Sequence, residues 1–163
     1  MLTATRLREV LFYDPESGLF TWKVAPNGRI TIGQIAGSPG NEGYISIKID
    51  RVLYRAHRLA WLYMTGEWPQ NKVDHKNRDV ADNKWSNLRA ATNQQNCFNQ
   101  GVRRNNKAGL KGVHWHKQTK KWAAAIAIDG VQTHLGLFPS AERAHQAYAE
   151  AARTHRGEFA RVN

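Results

Sequence analysis

The 163-residue chain predicts an α+β protein, on three observations. Residues 44–49 alternate strictly, with Ile45, Ile47 and Ile49 set against Tyr44, Ser46 and Lys48; that period of two marks a half-buried strand. Residues 56–64 carry His57, Ala60, Trp61 and Met64 at i, i+3, i+4 and i+7, the stripe of a helix with one buried face. Residues 112–137 hold three alternating runs, broken at Gln118-Thr119-Lys120 and at Asp129-Gly130 and followed by a helical pattern. This last block reads as a small three-stranded antiparallel sheet packed on one helix.

Taken in order, residues 3–13 suggest a short helix with Leu7, Val10 and Leu11 on one side. Asp14-Pro15-Glu16-Ser17-Gly18 is a turn cluster, and Leu19–Lys23 a strand. Residues 25–42, rich in Gly, Pro and Asn, read as loop. Asp50-Arg51 turns the strand at 44–49 into Val52–Arg55. Gly66-Glu67-Trp68-Pro69 ends the helix that follows. His57 sits on that helix's buried stripe and reads as a hydrogen-bonded core residue more readily than as a catalytic one.

The formal charge is +11 and the pI about 10.2, a balance that points to a polyanionic partner, nucleic acid above all. Six Trp and five Tyr are too many for a merely disordered basic tail. Cys97 is the only cysteine, which excludes an internal disulfide and a CxxC zinc site. The first residues lack the apolar core of a signal peptide, and no run approaches the roughly 20 apolar residues of a membrane span. A soluble, intracellular protein without a membrane association is expected.

The stretch 73–100, VDHKNRDVADNKWSNLRAATNQQNCFNQ, carries the chemistry. It reads as strand, polar loop, strand and short helix. Thr92 and Gln95 have capping-box spacing, so the helix is expected to start at Thr92. A hairpin of this size can bring Asp74, His75, Asn87 and Asn96 to one point. A carboxylate, an imidazole and two carboxamides suit a hard divalent cation and a water to be deprotonated.

Asp74-His75, Asn87-Leu88-Arg89 and Gln95-Asn96 resemble the HNH nuclease motif, in the variant where Asn replaces the last His. The resemblance takes in Asp14–Gly18, Gly43-Tyr44-Ile45, His57–Trp61 and Gly66–Pro69 upstream, and is to phage HNH endonucleases of the homing type. It implies a ββα-metal nuclease fold over residues 1–98 and hydrolysis of DNA phosphodiesters. It implies His75 as general base, Asp74 and Asn96 as ligands of one Mg²⁺ (or Mn²⁺), and Asn87 holding His75 by its amide oxygen. Arg89 is read as a phosphate contact or, equally, a packing residue. One such centre attacks one strand at a time, so strand nicking is an expected mode.

Residues 99–108 form a basic linker containing Arg103, Arg104 and Lys107, read as an arm along DNA phosphates. Residues 109–163 are the second domain. Its first strand sets Val113 and Trp115 on one face and His114 and His116 on the other; its second alternates Trp122, Ala124, Ile126 and Ile128 against Ala123, Ala125 and Ala127. Ser140 caps the helix, and Ala141, Ala144, His145, Tyr148, Ala151 and Ala152 share a face. Lys111-Gly112-Val113, Lys121-Trp122, Leu135–Phe138, Ala141-Glu142, Ala147-Tyr148 and Gly157 resemble the Apetala-two/ethylene-response-factor DNA-binding domain. That resemblance implies a sheet presented to double-stranded DNA, through His114, Trp115, His116, Lys120 and Trp122. His114 and His116 stand where arginines usually lie, so the base preference is not carried over.

Charge divides unevenly: residues 1–97 hold 13 basic and 9 acidic side chains, residues 98–163 hold 11 and 4. A catalytic module joined to a more basic DNA-holding one fits that division. The expected protein is a monomeric, cytoplasmic, phage-type metal-dependent DNA endonuclease without a small-molecule cofactor. The competing expectation is a non-catalytic, sequence-specific DNA-binding regulator with a decayed nuclease half.

Overall fold

The computed structural model describes residues 1–99, 101–102 and 106–162. The chain forms two compact units, Met1–Asn93 and Gln94–Asn163. Among the described residues, no helix is long and apolar enough to cross a membrane.

The first unit opens with α1 (Ala4–Val10), started by Thr3, whose hydroxyl accepts from the Arg6 amide at 3.2 Å. The helix stops earlier than its apolar spacing suggested. Leu11–Tyr13 is β1, paired antiparallel with β2 (Phe20–Trp22). Two bulky aromatics after Leu11 favour extended backbone, and pairing buries Tyr13 and Phe20 with ring centroids 4.7 Å apart.

A loop follows, tied to β2 by a bridge between Thr21 and Ile35 and carrying the two-residue β3 (Ser38–Pro39). It leads to β4 (Ile45–Ile49), whose hairpin partner is β5 (Val52–Arg55). Asp50 and Arg51 both have positive φ, at 46° and 69°, as a two-residue type I′ turn requires. The side chain of Asp50 is held by Arg6 from α1, with Nη2 at 3.1 Å.

Helix α2 (Ala56–Thr65) buries Ala56, His57, Leu59, Ala60 and Leu62. Gly66 ends it in left-handed geometry, donating its amide to the Leu62 carbonyl at 3.0 Å. Trp68 then turns back over the start of the chain: its indole N–H donates to the Leu2 carbonyl at 2.9 Å and its ring stacks on Tyr54. The motif Gly66–Pro69 thus closes the core around α1 and α2.

The ribbon β6 (Lys72–His75) and β7 (Leu88–Ala91) is antiparallel, with Asp74 opposite Arg89 and His75 opposite Leu88. A single turn of 3₁₀ helix, Trp85–Asn87, feeds β7, and α3 (Asn93–Asn99) follows one residue after Thr92.

The second unit contains β8 (Val113–His116), β9 (Lys121–Ile128) and β10 (Val131–Phe138) in the order β10-β9-β8, all antiparallel. Asp129 and Gly130 form a second turn with both φ positive, at 49° and 83°. Helix α4 (Ala141–Arg156) starts at Ser140, whose hydroxyl accepts from the Arg143 amide. It buries Ala144, Tyr148, Ala149 and Ala152, small residues that let a helix lie close to a sheet. The closest approach is at Gly112, where a Cβ would stand 2.0 Å from the Tyr148 ring.

Within the linker expected at residues 99–108, Asn106 makes a turn that belongs to this unit. The Asn106 amide donates to the Leu110 carbonyl at 2.8 Å and its oxygen accepts from Ala108 N at 2.9 Å, a local turn. Arg103 and Arg104 lie outside the described residues. The end of α3 also belongs here: Arg156 lies over the Phe98 ring at 4.0 Å, and Lys111 Nζ donates to the Phe98 carbonyl at 2.6 Å.

In the first unit, the turn Asp14–Gly18 packs against the loop ahead of β7. Gly18 has φ +74°, and a Cβ there would lie 2.4 Å from Lys84 N and 2.5 Å from the Asn83 carbonyl carbon. Neither is a side chain that can swing away. Gly18→Ala is therefore expected to destabilise the protein by about 1–3 kcal/mol, read as a lower urea midpoint with an unchanged m-value.

Candidate active site on the β6–β7 ribbon

His75 ends β6 and is only 4 % exposed. Its Nε2 lies 3.1 Å from Asn83 Oδ1. Asn83 is itself buried, and its amide nitrogen donates to the Ala81 carbonyl at 3.1 Å. That bond orients the carboxamide, so the oxygen faces His75 and Nε2 must carry the proton. The lone pair then resides on Nδ1.

Asn83 is held from behind. Tyr13 donates its buried hydroxyl to the Asn83 carbonyl at 2.7 Å, and burial raises the phenol's pKa far above its usual value, with Asp14 and Asp82 adding to it. Trp85 N donates to the Pro15 carbonyl at 3.0 Å. The residues upstream of the motif therefore act on His75 through one asparagine.

This changes the role expected for Asn87. Its amide nitrogen donates to Asn77 Oδ1 at 3.0 Å and to the Asp82 carbonyl at 2.7 Å, while its oxygen accepts from Asn77 N at 3.0 Å. All three bonds run within the loop between β6 and β7. Asn87 closes that loop, and Asn83 is a carboxamide that bonds the His75 ring. The loop is dense in Asx residues whose side chains bond backbone amides two positions on, as at Asn77–Asp79 and Asp79–Ala81. That density was the available signal for Asn83.

Asp74 faces Arg89 across the ribbon. Arg89 Nε and Nη2 both bond Asp74 Oδ2, at 3.0 and 2.9 Å, with both side chains buried. A phosphate contact was one expectation for Arg89; the structure makes it the buried partner of Asp74 instead, because residues directly opposite on an antiparallel pair meet side by side.

His57 enters the same region from the first turn of α2. Its ring centroid is 5.1 Å from that of His75 at 76°, and 5.3 Å from that of Tyr44. Burial pushes the His57 imidazole down to about 3, and the neighbouring His75, Arg58 and Arg55 add to the effect.

Asn96 lies on α3, in the second unit. The described bonds thus give Asp74, His75 and Asn87 separate partners. Among the described residues, no group of three or more His, Cys, Asp or Glu side chains is placed to hold a metal ion.

Of the residues expected to meet DNA, Lys107, His114, Lys120 and Trp115 are exposed, Trp115 at 47 %. Trp115 and Trp122 are register partners and meet edge to face at 5.2 Å. Trp122 also packs on the core between sheet and helix. His116 is half-buried, with Nδ1 2.9 Å from the Thr119 hydroxyl.

Residues 54–97 match the family model described as HNH endonuclease. The chain is 32 % identical over 126 residues to an uncharacterized HNH endonuclease, L560, of Acanthamoeba polyphaga mimivirus; the match covers 76 % of this chain and 64 % of the relative's length. The chain is also similar to a structure describing DNA binding and cleavage by the HNH homing endonuclease I-HmuI, at 17 % identity and a TM-score of 0.44, covering 90 % of this chain and 85 % of the other.

Two measurements bear on the site. Removing Arg89 strands a buried carboxylate, so Arg89→Ala is expected to cost about 3–5 kcal/mol in urea unfolding at pH 7. His57 gives a pH signature. Unfolded, it binds a proton near pH 6.5; folded, only near pH 3. Between those values the unfolded chain holds the extra proton. The stability from a neutral His57 is therefore complete above pH 6.5 and falls with pH, by up to about 1.4 kcal/mol per unit. His57→Phe should flatten that slope relative to wild type in unfolding titrations at pH 7, 5.5 and 4.5.

Proposed function

We propose that the chain is a divalent-metal-dependent DNA endonuclease that hydrolyses phosphodiester bonds, with His75 as general base. The observation that carries this reading is the Asn83–His75 bond inside the family segment. In the neutral ring it puts the basic nitrogen on the far edge, where a general base needs it.

In this reading, Nδ1 of His75 takes a proton from water as the water oxygen attacks phosphorus. The bond to the 3′ oxygen breaks, and that oxygen departs. Asn83 holds the tautomer through the step and accepts the Nε2 proton's hydrogen bond more strongly as the ring becomes cationic. Asp74 and Asn96 are the residues that would hold the metal. Their oxygens fit a hard cation that keeps several waters and takes one or two protein donors. Bound there, Mg²⁺ or Mn²⁺ would supply charge relief at the phosphate and the leaving oxygen.

The second unit is assigned the holding of double-stranded DNA. Its strand-and-helix order agrees with the Apetala-two/ethylene-response-factor resemblance, and its exposed Lys107, His114, Trp115 and Lys120 offer cationic, hydrogen-bonding and stacking groups. Arg103 and Arg104 keep their assignment as a phosphate-following arm. Cutting one strand at a time is the expected mode.

One observation favours a second reading. The Arg89 guanidinium already neutralises Asp74, which suits a DNA-binding protein that no longer cuts. A supercoiled-plasmid assay separates the two. The nuclease reading expects nicked or linear product with Mg²⁺ or Mn²⁺ and none in chelator, and His75→Ala slower by about 10²–10⁴-fold, the worth of a general base. Intact plasmid with wild-type protein that still binds it would establish the second reading.

A further inference from the structure

Resting on the nuclease reading, we propose that His57 is a positioning residue whose ring fixes the plane of the His75 imidazole.

Asn83 fixes one atom of that imidazole, Nε2. Contacts elsewhere on the ring also set its plane. His57 supplies one: its ring meets that of His75 edge to face, 5.1 Å between centroids and 76° between planes. Tyr44, tilted by 53° at 6.1 Å from His75, closes the same side.

The wall is braced from outside. Tyr44 lies against His57 at 5.3 Å, and the Arg55 guanidinium lies over the Tyr44 ring at 5.0 Å. Arg55 in turn donates to Ser46 Oγ at 3.3 Å and to Glu42 Oε2 at 3.1 Å. A continuous row, Arg55, Tyr44, His57, His75, Asn83, thus runs from the β4–β5 hairpin to the loop behind the base. The motifs Gly43-Tyr44-Ile45 and His57–Trp61 contribute its middle members.

Packing alone does not account for a histidine here. Position 57 lies on the buried stripe of α2, where Leu would fill the space. Instead His57 Nδ1 is buried with no hydrogen-bond partner among the described residues. Buried polar atoms are nearly always paired, and one left unpaired needs a reason beyond volume. A small, flat, uncharged ring beside the base is such a reason. It is narrow enough to stand edge to face, and without charge it does not oppose proton uptake by His75.

The test uses full-length protein, His57→Ala, His57→Phe and Leu62→Ala, the last a buried residue of the same helix outside the row. Single-turnover plasmid cleavage is measured at saturating enzyme, and binding of the same DNA in chelator. His57→Ala should cleave about 10- to 100-fold more slowly, the size of a small misplacement of a reacting group, with unchanged DNA affinity. His57→Phe, which restores a ring, should recover most of the rate. Leu62→Ala should keep its rate per folded molecule despite a lower melting temperature. Nitrogen-15 spectra of the His75 imidazole give an independent reading: one Nε2–H tautomer in wild type and His57→Phe, an averaged signal in His57→Ala.

A wild-type rate in His57→Ala overturns the proposal, as does equal slowing in Leu62→Ala or no recovery in His57→Phe. If wild type itself does not cut, the nuclease reading fails instead, and the imidazole spectra decide whether His57 orders the ring. If His57→Ala does not fold, His57→Phe against wild type decides by both readouts.

Discussion

The first unit depends on one carboxamide. Asn83 presents its oxygen to His75 while its own backbone is gripped by residues some 70 positions earlier, through the Tyr13 hydroxyl and the close approach of Gly18. Each contact is short-range, yet the chain separation is long. Forming β1–β2, with its Asp14–Gly18 turn, is therefore a precondition for an oriented His75. The turn holds itself together locally: Ser17 Oγ donates to Asp14 Oδ2 at 2.6 Å and Glu16 N to Asp14 Oδ1 at 3.0 Å. Those two donors lower the Asp14 carboxyl pKa, Ser17 the more.

Elements whose periodicity is set by solvent on one side were legible from residue order. The strand at 45–49, α2, the three-stranded sheet and α4 all fall within a residue or two of the pattern that marked them. The start of the chain was not. Leu7, Val10 and Leu11 satisfy a helical stripe, but Leu11 also satisfies a strand, and only the distant partner Phe20–Trp22 decides. Pattern reading weighs a residue against its neighbours, and strand pairing here is a tertiary event.

The site was legible in kind and less so in detail. Asp74 and His75 fall on a buried ribbon, as a strand followed by a polar loop suggests. Which amide touches the imidazole did not follow, because Asn77, Asn83 and Asn87 are chemically alike and the loop's fold allots their roles. Asn87 serves the loop and Asn83 serves the histidine. The Asp74–Arg89 pair was hidden for another reason: it requires the register of β6 on β7, and a shift of one residue would turn Arg89 to the other face.

Burial makes these polar contacts consequential. Asp74, Arg89, His75, Asn83 and His57 are all buried, where an unpaired polar group is costly and a paired one is held in a single geometry. A surface set of the same residues would interconvert among many hydrogen-bond partners. Trp61 packs against Trp85 at 5.4 Å and Tyr13 against Phe20 at 4.7 Å in the same unit. The aromatic content that first argued for a folded chain is thus also what gives a handful of amides and imidazoles fixed directions. Asn96 belongs to the second unit. It lies on α3, whose far end is fastened by Arg156 and Lys111 to the second unit. The family segment ends at residue 97 while the second unit begins at Gln94. The last residues of the matched segment therefore fold with the C-terminal unit, and a cut of the chain at residue 98 would remove the groups that hold their helix.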